Sequence, residues 1–477
     1  MIVGIIFIFG LEAVMVFSSL IFIFRFMPLF FLCYFLTPKP FQNLALFFGS
    51  IVFYAEGEPV YIFLMLFTIF ANFMLCVHLA REGRAVNRKS ILTIAMLLDF
   101  GMLFLFKYFD FFAQNMNLIL HKEALPLLGL TLPLGISFYT FQIVSYVCDV
   151  YRGKMKHPGS LLEFATYVCM FPQLIAGPIV QYQEVSTELA WRKVTLREIE
   201  HGLEVFCFGL GAKVLLANKI SIFWNQVQGI GYANLSTPVA WMGAFAYSFQ
   251  IYFDFWGYSL MAIGLGRMMG FHLPKNFDSP YMVKSVTQFW RNWHMTLGRF
   301  FREYVYIPLG GNRKGSFRMI GNMLIVWSLT GLWHGASWNF VLWGLGFFVL
   351  LVLEKFIYGK FLDRSRVIGH IYIWIIIPVT WVIFAVTDFS QLLVYLQQLA
   401  GIHRQPVLVS TDQLVRYVHE YGRLFLLCAF FSTRLPEKAY HRIRGGLVVV
   451  LLALAVFWMS VYELANGANN PFLYFRF

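Results

Sequence analysis

The sequence predicts an all-α, polytopic integral membrane protein, and three observations predict it. Of 477 residues, 59% are hydrophobic and only 13% are charged, against about 25% charged in a soluble globular protein. The apolar residues fall in long runs, many of them near the roughly 20 residues that a membrane helix needs. The charges gather in short basic clusters between those runs. A water-soluble fold of this length would lack polar surface to cover itself. A bilayer removes that demand, because lipid-facing side chains are apolar and helices satisfy their own backbone.

The runs are 2–24, 26–36 continuing into 41–55, 59–80, 90–112, 132–150, 161–180, 202–217, 238–266, 319–333, 338–358, 370–386, 420–432 and 446–463. They predict more than ten transmembrane, re-entrant and interfacial helices. Leu132-Pro133-Leu134-Gly135 and Ala176-Gly177-Pro178 interrupt two runs and read as kinked or re-entrant backbone. Such backbone is tolerated at membrane depth only where protein or water covers it, so an interior cavity or tunnel is expected. Apolar residues begin at once, with no basic stretch before them, so the N-terminus does not read as a cleavable signal; Met15 is an alternative start. No internal repeat is visible, and 401–419 reads as one longer polar loop.

The net charge is +13. Arg81, Arg84, Arg88 and Lys89 form one cluster; Arg152, Lys154 and Lys156 a second; Arg192, Lys193 and Arg197 a third; Arg313, Lys314 and Arg318 a fourth; and Arg434 to Arg444 a fifth. Clusters this short between apolar runs fit positive-inside topology rather than nucleic-acid binding. They would also make a cationic cytosolic mouth for an anionic donor such as a nucleotide cofactor. Cys33, Cys76, Cys148, Cys169, Cys207 and Cys428 contain no C-x-x-C pair, so neither a metal site nor a disulfide framework is expected.

Residues 271–318 are the least membrane-like central stretch. Trp290, Trp293, Leu297, Phe300 and Tyr304 recur at helical spacing, with Arg291, Arg299 and Arg302 on a polar side. This reads as one interfacial amphipathic helix, with His294 a turn from Arg291 and facing the same cavity. Pro308 and Gly310-Gly311-Asn312 end it. The turn is ordinary, or with Arg313 and Lys314 it offers backbone N–H groups to a phosphate.

The second constellation is Thr330-Gly331-Leu332-Trp333-His334-Gly335-Ala336-Ser337-Trp338. A histidine between strongly apolar stretches is expensive unless it is paired or lines a water path. Neutral imidazole takes a proton from a hydroxyl near neutral pH, the step that acyl transfer to a hydroxyl requires. His334 is therefore the first candidate catalytic residue, as a base for direct attack on a thioester or as a covalent relay. His294 is the second, orienting the donor carbonyl or stabilising the oxyanion. Gln142, Asp149, Arg152, Gln173, Gln250 and Asp254 are further polar intrusions. Each reads first as an interhelical hydrogen bond or ion pair, and Gln250 with Asp254 also as the wall of a polar tunnel. A carrier of an anionic substrate suits broken helices, buried polar groups and a basic mouth equally well. A non-catalytic scaffold is a third reading.

At these residues the sequence resembles the membrane-bound O-acyltransferase (MBOAT) family, in the branch of alginate and peptidoglycan O-acetyltransferase membrane subunits. The resemblance rests on MVFSSLIFIF at 15–24, FYAEGEP at 53–59, PLGISFYTFQIVSYVCDVYRG at 133–153, FPQLIAGPIVQY at 171–182, FDFWGYSLMAIGLGRMMGF at 253–271, FWRNWHMTLGRFFREYVYIPLGGNRKG at 289–315, LTGLWHGASWNFVLWG at 329–344 and the ending YFRF. It implies one membrane domain over 1–477 around a central tunnel. Within it, about 271–318 would be the amphipathic or re-entrant segment carrying His294, and about 319–358 the helices flanking His334. It implies acetyl transfer from cytosolic acetyl-CoA to an extracytoplasmic polysaccharide, with a separate extracytoplasmic SGNH-type acetyltransferase as partner. The location implied is the bacterial inner membrane. His334 and His294 match the family's two histidines. Arg291, Trp293, Arg302, Tyr304, Asn312 and Trp333 are the expected donor-binding set, and no metal is expected.

Overall fold

A computed structural model of the chain describes residues 15–80, 87–155, 158–175, 177–402, 411–467 and 473. Every regular element among them is helical. Six helices are long and apolar enough to cross a membrane: Tyr61–Ala80, Arg88–Leu120, Leu196–Ile230, Trp338–Arg364, Arg366–Ala385 and Leu447–Ala465. They coincide with the expected runs at 59–80, 90–112, 202–217, 338–358, 370–386 and 446–463. The run expected at 161–180 divides into Leu161–Cys169 and Phe171–Leu174, because Met170 turns extended at φ −48°, ψ 109°. Pro172 sits in the first turn of the second piece, where a missing N–H leaves no intrahelical bond unmade. Arg81, Arg84, Lys156, His157, Ala176, His403, residues 2–14 of the first run and the terminal YFRF lie outside the described residues.

The chain forms two compact units. The first comprises 1–206 with 261–274. Its buried Arg192 shows how a charge is accommodated there. The guanidinium donates to the Tyr34 hydroxyl at 2.8 Å and to Asn43 Oδ1 at 2.6 Å, and it lies 4.6 Å from the centre of the Phe271 ring. Two of the polar intrusions expected in this unit are resolved into contacts. Gln173 donates to the Tyr167 carbonyl, while Asp149 pairs with Lys154 at 3.0 Å and accepts from Gln183 at 3.2 Å.

The second unit comprises 207–260 with 275–477 and holds both candidate histidines. Two local devices place them. The first is a hairpin of Ser316–His334 and Trp338–Leu353. A Cβ on Gly331 would lie 2.4 Å from the Phe340 carbonyl oxygen, and one on Gly344 would lie 2.4 Å from that of Trp327. Glycine at both positions therefore lets the two backbones touch, as small residues do where membrane helices cross closely. His334 is the last residue of the first arm, and its ring is set by that crossing. Asn339, at the start of the second arm, donates to the Phe384 carbonyl at 2.9 Å and ties the hairpin to Arg366–Ala385.

The second device is a broken helix. The single amphipathic helix expected through 290–304 is two helices, Val286–Asn292 and Met295–Phe301, followed by a π-helical turn Arg302–Tyr306. Trp293 is extended at φ −106°, ψ 127°, and His294 is left-handed at φ 44°, ψ 53°. The loop 276–278 supplies partners at the break. Met295 N–H donates to the Asn276 carbonyl at 2.9 Å, and Asp278 N–H donates to the Asn292 carbonyl at 2.9 Å. The Asn292 side chain returns a bond to the Asp278 carbonyl at 2.7 Å. At the other end, buried Glu354 accepts from Val286 N–H at 2.7 Å and Thr287 N–H at 3.0 Å. A carboxylate there satisfies orphan donors and the helix dipole together.

The hairpin crossing makes a measurable demand. Gly344→Ala should cost about 1–3 kcal/mol through overpacking. Its melting temperature in detergent should therefore fall clearly below that of Gly346→Ala, whose new methyl group meets nothing within 4 Å. Equal melting of the two variants would refute the tight crossing.

Candidate active site

A cavity of about 340 Å³ lies in the second unit between Val286–Asn292, Met295–Phe301, the turn after it and the first arm of the hairpin. Its apolar wall is Leu297, Phe301, Met323, Val326 and Trp327. Its polar lining is His294, Trp290, Thr287, Thr330, Tyr306 and Arg302. This volume is within the range of small-molecule sites. The helix break creates the geometry: a continuous helix would carry residue 294 around with its neighbours, whereas the left-handed turn sets it apart from Arg291.

His294 is 1% exposed. Its Nδ1 lies 3.1 Å from Asn276 Oδ1, and its ring meets Phe255 edge-on at 4.7 Å. Burial drives its imidazole well below the ordinary histidine value, so the ring is neutral at pH 7. Its Nε2 is buried and has no hydrogen-bond partner among the described residues. The same holds for the indole Nε1 of Trp290, which is packed against Trp327 at 4.9 Å, Trp343 at 5.5 Å and Phe347 at 4.9 Å. Two residues that line one cavity thus each carry a buried polar atom without a hydrogen-bond partner among the described residues, and buried polar groups in native proteins rarely stay so.

His334 is 3% exposed and boxed by aromatic rings. Trp343 lies edge-on at 4.9 Å, Phe384 at 5.3 Å and Trp333 at 4.9 Å. It is not one of the residues lining the cavity. The two histidines nevertheless share a neighbour, because Trp333 also lies 5.8 Å from the His294 ring. Trp343 makes a second link, touching both His334 and the cavity residue Trp290.

The six expected donor-binding residues are dispersed. Arg302 lines the cavity, and Trp333 touches both histidines. Arg291 is exposed, on the far side of the helix break from His294, so the expectation that both face one cavity fails. Trp293 belongs to an aromatic core with Phe289, Phe277 and Trp381 at 5.4, 5.1 and 4.9 Å. Tyr304 packs on Phe300 at 5.1 Å. Asn312 is exposed in its turn, which Asn322 anchors by donating to the Gly311 carbonyl at 2.8 Å. Asp254, read as ion pair or tunnel wall, is a buried ion pair with Lys213 at 2.6 Å, and it accepts from Leu473 N–H at 2.9 Å. Gln250 is buried beside it on the same helix. Sequence reasoning missed Asn276 and the N–H of Trp290. Trp290 was visible only as one member of an apolar stripe, and Asn276 sits in a loop without periodicity. Among the described residues no group of three or more His, Cys, Asp or Glu is placed to hold a metal ion.

Comparison with known proteins adds to this geometry. A sequence profile of the membrane-bound O-acyltransferase family matches residues 92–397. The chain is 33% identical to a probable alginate O-acetylase of Pseudomonas putida over 97% of its own length and 100% of the relative's. It is 37% identical to one of Azotobacter vinelandii over 78% of this chain and 75% of that protein. It is 35% identical to the peptidoglycan O-acetyltransferase of Helicobacter pylori over 82% and 80% of the two chains. With its helices of membrane-spanning length and its profile match over more than half the sequence, the chain belongs to the membrane-bound O-acyltransferase family and is a multi-pass O-acyltransferase.

Proposed function

We propose that the chain moves acetyl from cytosolic acetyl-CoA across the membrane for O-acetylation of an extracytoplasmic polysaccharide. Alginate, peptidoglycan or another envelope polysaccharide is the acceptor class, following the activities named for its relatives. In this reading the whole chain is one membrane domain, with more than ten transmembrane, re-entrant and interfacial helices around a central tunnel. It works in the bacterial inner membrane with an extracytoplasmic SGNH-type acetyltransferase. The observation that carries the reading is the cavity, whose lining residues His294 and Trp290 carry a ring nitrogen and an indole N–H that are buried without partners among the described residues.

Acetyl-CoA enters as substrate. Arg302, at the cavity and exposed, suits the anionic part of the donor, and the apolar wall suits its slender thioester arm. His334 takes the proton of the acceptor hydroxyl as that oxygen attacks the thioester carbonyl carbon. The carbonyl π electrons move to oxygen, and Trp290 Nε1–H donates to the resulting oxyanion. The oxyanion then collapses, the C–S bond breaks, and the leaving thiolate takes the proton back from His334. Each bond formed is matched by one broken, with no oxidant or metal in the balance. His294 is the partner histidine at the cavity wall.

Two substitutions test this. His334→Ala should lower polysaccharide O-acetylation by at least about 100-fold at unchanged membrane expression, read as ester-linked acetate on the isolated polymer; near-normal acetylation would sink the assignment. Trp290→Phe keeps an aromatic ring against Trp327, Trp343 and Phe347 while deleting the N–H. Its turnover of acetyl-CoA by the purified chain and acceptor should fall by about 100-fold, and unchanged turnover would remove Trp290 from the mechanism.

A further inference from the structure

Asn276 is 1% exposed, and its carboxamide has a defined neighbour on each side. Nδ2 donates to Ser259 Oγ at 3.2 Å. Oδ1 accepts from Thr296 Oγ1 at 3.0 Å and from the Thr296 backbone N–H at 3.4 Å, and it faces His294 Nδ1 at 3.1 Å. A backbone N–H only donates, so the amide end that faces Thr296 and His294 is the oxygen. An amide oxygen only accepts, so His294 Nδ1 must carry the proton. In a neutral imidazole the other nitrogen is then bare. That nitrogen is Nε2, on a cavity residue and without a partner among the described residues.

The same asparagine also holds the backbone. Its carbonyl receives Met295 N–H, the first amide after the left-handed His294. Such a conformation costs a non-glycine residue about 1–2 kcal/mol and persists only where its surroundings enforce it. Asn276 therefore fixes where the ring points and which nitrogen is protonated.

We propose that Asn276 is the positioning residue that locks His294 in its Nδ1–H tautomer, so that a lone pair on Nε2 faces the cavity as a hydrogen-bond acceptor. The proposal rests on reading the cavity as the acyl-transfer site. It replaces the donor role expected for His294 from sequence, since Nε2 without a proton cannot stabilise an oxyanion. The donor beside it is Trp290.

The test uses the full chain, labelled with ¹⁵N-histidine and reconstituted in lipid. The His294 signals are assigned by their loss in His294→Asn, a residue that tolerates left-handed backbone. The expected result is a protonated Nδ1 and an unprotonated Nε2 in the native chain. Asn276→Ala should lose that preference and lower turnover of acetyl-CoA by at least about tenfold, with the other histidine signals unmoved. Asn276→Asp keeps an acceptor on His294 and should keep the tautomer, which separates positioning from general support of the fold. A native Nε2–H, or a tautomer indifferent to Asn276→Ala, overturns the proposal. A shifted tautomer with unchanged turnover overturns the use of that lone pair in transfer. If the native chain cleaves no acetyl thioester, the functional reading fails, while the nitrogen signals still decide what Asn276 does.

Discussion

A polar group taken out of water needs a partner, and the loop at 276–278 provides partners where the chain would otherwise leave them open. Breaking a helix at Trp293 and His294 frees backbone donors and acceptors inside an apolar protein. The carbonyl of Asn276, the N–H and carbonyl of Asp278 and the side chain of Asn292 close that deficit. Once it is closed, the break is an asset. It turns His294 out of the helical register and leaves that residue in the lining of a cavity. Glu354 completes the arrangement by satisfying the start of the first short helix, so both of its ends are fixed.

The second histidine is placed by contact rather than by a loop. The glycines of the hairpin bring two backbones together, and bulky rings fill the space beside them. Trp343, Phe384 and Trp333 meet His334 edge-on. Aromatic pairs favour such angles, because a positive ring edge meets a negative face. The enclosure also lowers the local dielectric, which strengthens each hydrogen bond made to a reacting group. Trp333 and Trp343 then connect this histidine to His294 and to Trp290 through packed rings.

Much of this was legible in the sequence, for reasons that also explain what was not. Apolar length is a local property, and six of the expected runs are helices long enough to span a membrane. His334 and His294 stand out in the sequence because a histidine among apolar residues is conspicuous at its own position. The helix break was hidden because Trp290, Trp293, Leu297, Phe300 and Tyr304 keep their spacing whether one helix carries them or two. Asn276 pairs with a residue 18 positions away, and no short pattern in a loop announces such a partner. The expected donor-binding residues are dispersed for the same reason. Arg291 was placed by assuming a continuous helix, and the break separates it from the cavity. Asp254 was recognised as a buried charge, but its partner Lys213 comes from another helix and required the fold to be seen.

The left-handed backbone at His294 has a consequence for what evolution can write at that position. Most side chains clash there, so the residues admitted at little cost are glycine, asparagine, aspartate and histidine. Glycine brings no functional group, and aspartate would bring a charge into a buried setting. The backbone thus narrows the chemistry available to this wall of the cavity to an imidazole or an amide before any selection for catalysis acts. A library that randomises the position samples mostly folding defects. Diversification of the activity has more room at Leu297, Met323 and Val326, which line the same cavity on regular helix.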